Sequence, residues 1–164
     1  GVFILEFRRK TSMIFIINDK KEKEEIARGI LNKLPEWFGL PESTEEYIKC
    51  SKDMPFWADI EDNQTRGFIA LKETSKYTIE LYVMGVLKEF HRNKIGYDLF
   101  KTCYDYAKEQ GYLYMQVKTV KEGCYEEYNR TIKFYKSLGF KEFECFPTLW
   151  DKWNPCQIYI LSVK

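Results

Sequence analysis

Histidine is almost missing from this chain of 164 residues, His91 being the single example. A histidine-rich metal centre therefore lacks its usual ligands. The five cysteines, Cys50, Cys103, Cys124, Cys145 and Cys156, are odd in number and form no CxxC pair, which argues against both a disulfide scaffold and a zinc site. No metal is expected, and the reducing cytoplasm is the natural compartment. Excess charge of one sign is lacking too. Lys+Arg 26 against Asp+Glu 25 leaves a formal net charge of +1, without the basic footprint of a dedicated nucleic-acid binder. Long apolar runs are also scarce: Val2 to Phe7 is broken by Glu6 and followed by Arg8, Arg9 and Lys10, too short for a signal peptide or a membrane span. Residues 1–12 read as an extension or a first strand, with Met13 a candidate native start.

What is plentiful is aromatic. Phe, Trp and Tyr make up 17% of the chain, enough to furnish both a core with wet edges and the walls of a pocket. Length and balanced composition fit one soluble globular domain over 13–164. Met13 to Ile17 reads as a strand, and Ile26, Ile30, Leu31 and Leu34 give a helical period over Lys21 to Leu34, stopped by Pro35. Ser43 with Glu46 resembles a capping box for a shorter helix. Phe56 to Ile60, Gly67 to Lys72 and Tyr77 to Val86 read as three antiparallel strands, with turns at Asp62-Asn63 and Glu73 to Lys76.

A helix over Lys94 to Gln110 follows, its apolar face carrying Ile95, Leu99, Cys103, Tyr106 and Ala107, and Gly111 is placed to end it. Tyr112 to Val117 is a further strand and Tyr128 to Leu138 a helix ending at Gly139. Phe140 to Phe146 and Gln157 to Val163 are two last strands, separated by a turn-rich loop from Leu149 to Pro155. The order is mixed α/β, with no internal repeat and no dividing linker.

Val83 to Leu99 is the most informative segment: a strand runs through Phe90-His91-Arg92-Asn93-Lys94-Ile95-Gly96 straight into a helix. Such a junction is an anion site, because unpaired backbone N–H groups and the helix dipole converge there. Arg92 and Lys94 add positive charge, and Gly96 allows close backbone approach. A phosphate-bearing ligand is implied.

With these residues in hand, the sequence resembles the GNAT superfamily of N-acetyltransferases. That family's pyrophosphate loop has the form Gln/Arg-x-x-Gly-x-Gly/Ala after a long strand, and Val86 to Gly96 stands in that register. Its second motif, an aromatic-Tyr pair before Lys/x-x-Gly-Phe, is matched by Thr131-Ile132-Lys133-Phe134-Tyr135-Lys136-Ser137-Leu138-Gly139-Phe140. The spacing between the two also fits. The two motifs together are far more specific than either alone. His91 stands where Gln or Arg is usual, and Lys94 replaces the first motif glycine. Lysine at that position is expected in helical geometry, where it costs little and gains a phosphate contact. The Asn often found seven residues before the motif tyrosine is Tyr128 here, with Asn129 one place out of register.

The resemblance implies a single-domain GNAT-like fold, with a mixed central sheet, splayed parallel strands and flanking helices. It further implies acetyl-CoA as co-substrate and transfer of the acetyl group to a primary amine. Met84 and Val86 are expected to pair with the pantetheine arm. His91, Arg92, Asn93, Lys94, Ile95, Gly96 and Tyr97 are expected to hold the pyrophosphate, with Thr131 also on the cofactor side. Glu80 is the candidate base, with water as the alternative, and Tyr135 the candidate acid for the departing thiolate. An aromatic wall of Trp37, Phe38, Trp57, Tyr82, Trp150 and Trp153 is the candidate acceptor surface, although ordinary core packing explains most such rings. The expected partner is a small-molecule amine, with no nucleic acid and no membrane, and a homodimer stays open. A protein or peptide acceptor, or a non-catalytic CoA-binding sensor, are the competing readings.

Overall fold

Residues 13–164 are described in a computed structural model of the protein, and the readings made for 1–12 lie outside them. Among the described residues, seven strands and four α-helices follow in the order β1 (Ile14–Ile16), α1 (Lys20–Leu31), α2 (Pro41–Ser51), β2 (Phe56–Glu61), β3 (Gln64–Ser75), β4 (Thr78–Val86), α3 (Ile95–Glu109), β5 (Tyr114–Val120), α4 (Glu126–Ser137), β6 (Lys141–Asp151) and β7 (Asn154–Ser162). They form one mixed sheet in the order β1-β2-β3-β4-β5-β7-β6. The α/β class and the mixed sheet expected from the sequence are both present. Contacts divide the chain into two units, one running to Leu71 and including Val83–Cys103, the other Lys72–Tyr82 with Tyr104–Lys164.

In the first unit, α1 begins where the Asp19 carboxylate accepts from the Glu22 N–H at 2.8 Å, satisfying one of the orphan donors of a helix start. Its apolar stripe of Ile26, Ala27, Ile30 and Leu31 is buried, together with Phe56, Phe68 and Ile69 from β2 and β3. The capping-box reading of α2 needs correction. Ser43 and Glu46 lie inside the helix, which starts at Pro41 with Leu40 as a cap lacking a side-chain bond. Proline suits the first helical position because its missing N–H would be unpaired there anyway. β2 and β3 form a hairpin through Asp62 and Asn63, both at positive φ (50° and 63°), as a two-residue type I′ turn requires. Gly67 on β3 leaves little room for a side chain: a Cβ there would lie 3.1 Å from the Gly85 carbonyl oxygen and 3.2 Å from Ile95 Cγ2. That close approach seats the start of α3 on the sheet.

In the second unit, β4 and β5 pair in parallel, but only from Thr78↔Tyr114 to Glu80↔Gln116. β5 continues beside β7 as far as Val120↔Cys156, so the parallel ladder stops while its partner ladder goes on. The expected loop from Leu149 to Pro155 is instead a tight hairpin. β6 runs to Asp151 and β7 starts at Asn154, with Asp151 Oδ1 accepting from the N–H groups of Trp153 and Asn154 at 2.8 and 2.9 Å. β6 ends the sheet and carries Pro147, a residue tolerated on edge strands because no ladder bond is lost there.

Candidate functional site

The loop leaving β4 lies wholly in the first unit. Leu87 N–H donates to the Arg66 carbonyl at 2.9 Å, a 3-10 turn covers Lys88–Phe90, and the backbone then passes through Arg92 at φ 74° and Lys94 at φ 61°. The expectation of helical geometry at Lys94 is therefore corrected: lysine occupies the left-handed conformation that the family's glycine would adopt freely. Such a conformation costs a side-chain-bearing residue roughly 1–2 kcal/mol. Turns that pass through the left-handed region can aim successive N–H groups at an anion, although here the Asn93 N–H is taken by the Phe90 carbonyl at 3.3 Å. The N–H groups of Ile95, Gly96 and Tyr97 remain for a ligand, since the first turn of α3 offers them no intrahelical carbonyl. Arg92, Asn93, Lys94 and Tyr97 are exposed, whereas the Ile95 side chain is core and only its backbone can serve a ligand.

Three contacts hold this strained loop. His91 Nε2 lies 2.7 Å from the Val86 carbonyl oxygen. Lys88 forms an ion pair with Glu36, whose carboxyl is held below the usual range by that lysine. The Arg66 guanidinium sits 5.4 Å over the Phe90 ring while bonding Asp59 and Glu61 at 2.6 Å each. Asp59 is only 2% exposed, so losing Arg66 would leave a buried carboxylate uncompensated, at a cost of about 3–5 kcal/mol. Glu36 and Arg66 were not singled out in the sequence, where each reads as one more surface charge. Met84 and Val86, at the end of β4, are half-buried.

In the second unit, Glu80 is 4% exposed and not on a solvent-facing strand surface. Its Oε1 accepts from Gln116 Nε2 at 2.7 Å and lies 3.2 Å from Lys118 Nζ. A buried carboxylate is tolerable because both partners compensate its lost hydration. Neither Gln116 nor Lys118 could be recognised before the register of β4 on β5 was known.

Tyr135, 7% exposed, lies in the last turn of α4. That helix ends in a Schellman arrangement: Phe140 N–H bonds the Tyr135 carbonyl at 3.2 Å, Gly139 N–H bonds the Lys136 carbonyl at 3.0 Å, and Gly139 has φ 102°. The Phe140 ring packs edge-on against Tyr135 at 5.8 Å. The Gly-Phe pair of the second motif thus fixes the orientation of the tyrosine. Thr131 Oγ1 donates to the Glu127 carbonyl at 3.1 Å within the helix, and Asn129 Oδ1 accepts from Gly123 N–H at 2.8 Å, a contact that anchors the turn before α4.

The aromatic set is shared between the two units. In the first unit, Trp37 and Phe38 are half-buried in the segment between α1 and α2, Phe38 edge-on to Tyr47 at 5.8 Å, whereas Trp57 at 6% exposure belongs to the core. In the second unit, Tyr82 lies beneath the Lys72 ammonium at 5.7 Å, Trp150 is exposed on the edge strand and Trp153 is exposed in the hairpin turn. Among the described residues, no group of three or more His, Cys, Asp or Glu side chains is placed to hold a metal ion, and no helix is long and apolar enough to cross a membrane.

The sequence model of the GNAT acetyltransferase domain matches residues 52–142, more than half of the chain, and the protein belongs to that family of acyltransferases. Among solved structures, an acetyltransferase assigned to the GNAT family from Desulfovibrio desulfuricans is similar at TM-score 0.78 and 16% identity, over 92% of this chain and 98% of that one. An aminoglycoside 6'-N-acetyltransferase complexed with coenzyme A is similar at TM-score 0.69 and 17% identity, over 92% and 97%. The ribosomal-protein-S18-alanine N-acetyltransferase from Escherichia coli is similar at TM-score 0.71 and 16% identity, over 93% and 95%. At such identities the likeness carries the fold. No curated protein matches the sequence significantly.

Proposed function

We propose that the protein is an acetyl-CoA-dependent N-acetyltransferase acting on a primary amine of a small molecule. The observation that carries this reading is the pair of left-handed, cationic residues at the mouth of α3, Arg92 and Lys94. Strain of this kind persists where a site is over-determined by its surroundings, and both residues are exposed beside the start of α3, where an anion would be favoured. The donor set fits the pyrophosphate of coenzyme A: backbone N–H groups of Ile95, Gly96 and Tyr97 for the oxygens, since the Asn93 N–H is taken by the Phe90 carbonyl, and lysine and arginine for the charge. Met84 and Val86 would align the pantetheine arm along the end of β4. The five free cysteines support a reducing compartment such as the cytoplasm.

Acetyl-CoA supplies the activated acetyl group. The acceptor amine must be neutral to attack the thioester carbon, so a proton has to leave it, to Glu80 or through water in contact with that carboxylate. The new C–N bond forms as the C–S bond breaks, and a backbone N–H near Val86 would stabilise the oxyanion between them. Tyr135 would then protonate the departing thiolate. A phenol near ~10 and a thiol near ~8.5 in water are close enough for that transfer. Trp37, Phe38, Tyr82 and Trp150 are the acceptor-side candidates, able to receive a cationic amine by cation–π attraction before it loses its proton.

Release of free thiol from acetyl-CoA across a panel of primary amines tests the proposal. Tyr135→Phe should lower kcat by about 10²-fold with coenzyme A affinity unchanged. Tyr159→Phe is the control, because that hydroxyl is buried without a hydrogen-bond partner among the described residues. Coenzyme A binding with no amine-stimulated thiol release from any acceptor, peptides included, would overturn catalysis in favour of a binding module.

A further inference from the structure

His91 departs from the family pattern, and its ring has two neighbours that no motif assigns. A carbonyl oxygen can only accept, so the 2.7 Å contact between His91 Nε2 and the Val86 carbonyl places the ring hydrogen on Nε2. On its other side the imidazole meets the indole of Trp37 edge to face, with ring centroids 6.0 Å apart and planes at 74°, an attractive geometry for aromatic pairs. Trp37 lies in the segment joining α1 to α2, and its neighbour Glu36 is ion-paired to Lys88, three residues before His91. The connection between the two helices is thereby tied twice to the loop that leaves β4. The two ties differ in kind: one is an ion pair exposed on both sides and weak in water, the other the His91 ring, itself exposed, which bonds the backbone of β4 and packs on an aromatic side chain.

We propose that His91 is a positioning residue that transmits occupancy of the anion-binding loop to the Trp37 segment, so that coenzyme A binding orders the acceptor side of the site. This rests on the reading of the loop as the coenzyme A site. A ligand on Arg92 to Tyr97 would further restrain His91, already bonded to Val86, and with it the ring against which Trp37 packs. Acceptor and donor binding are then positively linked, because the second ligand meets a segment already ordered by the first. Couplings of this type amount to roughly 5–150-fold.

Hydrogen–deuterium exchange with coenzyme A as the probe tests this without knowledge of the acceptor. In the unaltered protein, coenzyme A should slow exchange in residues 92–97 directly and in residues 35–40 by transmission, the latter by about fivefold, at the low end of such couplings. His91→Ala should abolish the slowing at 35–40 and keep it at 92–97. His91→Gln, which retains an N–H donor for Val86, should restore part of it. Trp37→Leu should leave the slowing at 92–97 intact and remove that at 35–40, which keeps the test available should the His91→Ala protein fold poorly. Protection at 92–97 with none at 35–40 in the unaltered protein, or equal transmission in His91→Ala, overturns the positioning role alone. No protection at 92–97 overturns the coenzyme A reading, and this inference with it.

Discussion

Two stretches of the first unit place side-chain-bearing residues in the left-handed region, and they do so for opposite reasons. Asp62 and Asn63, at φ 50° and 63°, close a two-residue hairpin. Their short polar side chains tolerate that conformation, so the turn is satisfied by local chemistry alone. Arg92 and Lys94, at φ 74° and 61°, have no such tolerance and close no hairpin. They are held from outside, by His91 on Val86, by Lys88 on Glu36 and by Arg66 over Phe90. The same backbone geometry is thus a folding device in one place and a maintained strain in the other, and what the strain brings is positive charge at a helix N-terminus.

The largest effect expected from that difference is on binding. Replacing Arg92 and Lys94 by Glu together should raise the Kd for coenzyme A by about 10²-fold, the sum of two charge-assisted contacts. Titration calorimetry at two salt concentrations should find the loss shrinking as the Debye length falls from ~10 Å at 0.1 M. Asp62→Lys at the hairpin should leave coenzyme A affinity unchanged, and a comparable loss there would erase the distinction between the two turns.

A smaller effect separates them by stability. Lys94→Gly removes left-handed strain of roughly 1–2 kcal/mol against a glycine entropy cost of roughly 0.5–1 kcal/mol. Chemical denaturation should therefore find a gain of about 0.5–1 kcal/mol alongside weaker coenzyme A binding. Asn63→Gly has little strain to relieve and should change stability by no more than a few tenths of a kcal/mol. Equal responses at the two sites would mean that Lys94 is as comfortable in its turn as Asn63.

The smallest effect is in pH dependence. Asp98, in the first turn of α3, has its carboxyl raised above the usual range by burial and by the nearby Asp59 charge, with Lys94 acting in the opposite sense. An acid raised in the folded state binds more protons there than in the unfolded chain, so stability falls as pH rises from the ordinary carboxylate range through the raised value. Asp98→Asn should remove that fall. Its advantage over the unaltered protein in thermal unfolding should be present at neutral pH and vanish in acid; a constant difference would contradict the assignment.

Much of this architecture was legible because it rests on local signals. The apolar spacing of Ile95, Leu99, Cys103 and Ala107 defines α3, and Gly111 ends it at φ 85°. Asp62-Asn63 announces a hairpin. The long final hairpin was not legible, because Pro147, Asp151, Asn154 and Pro155 carry turn chemistry through residues that are mostly strand; on an edge strand that composition is tolerated, and the real turn is confined to 152–153. The site divides in the same way. Tyr135 could be found because Gly139 and Phe140 are built into the motif that orients it, whereas Gln116, Lys118, Glu36 and Arg66 gain meaning only from register and packing. The left-handed state of Lys94 was misjudged for the same reason: no propensity of lysine favours it, and two of the contacts that hold the loop, from Glu36 and Arg66, come from far away in sequence.

The most direct test of the central claim is a calorimetric comparison of coenzyme A with pantetheine, which shares the thiol arm but lacks the pyrophosphate and the phosphoadenosine beyond it, made in the unaltered protein and in Lys94→Glu so that the part due to the loop is separated. If the strained loop is an anion site for that group, coenzyme A should bind at least about 10²-fold more tightly, with the preference much reduced in Lys94→Glu. Equal affinities for the two compounds would contradict it.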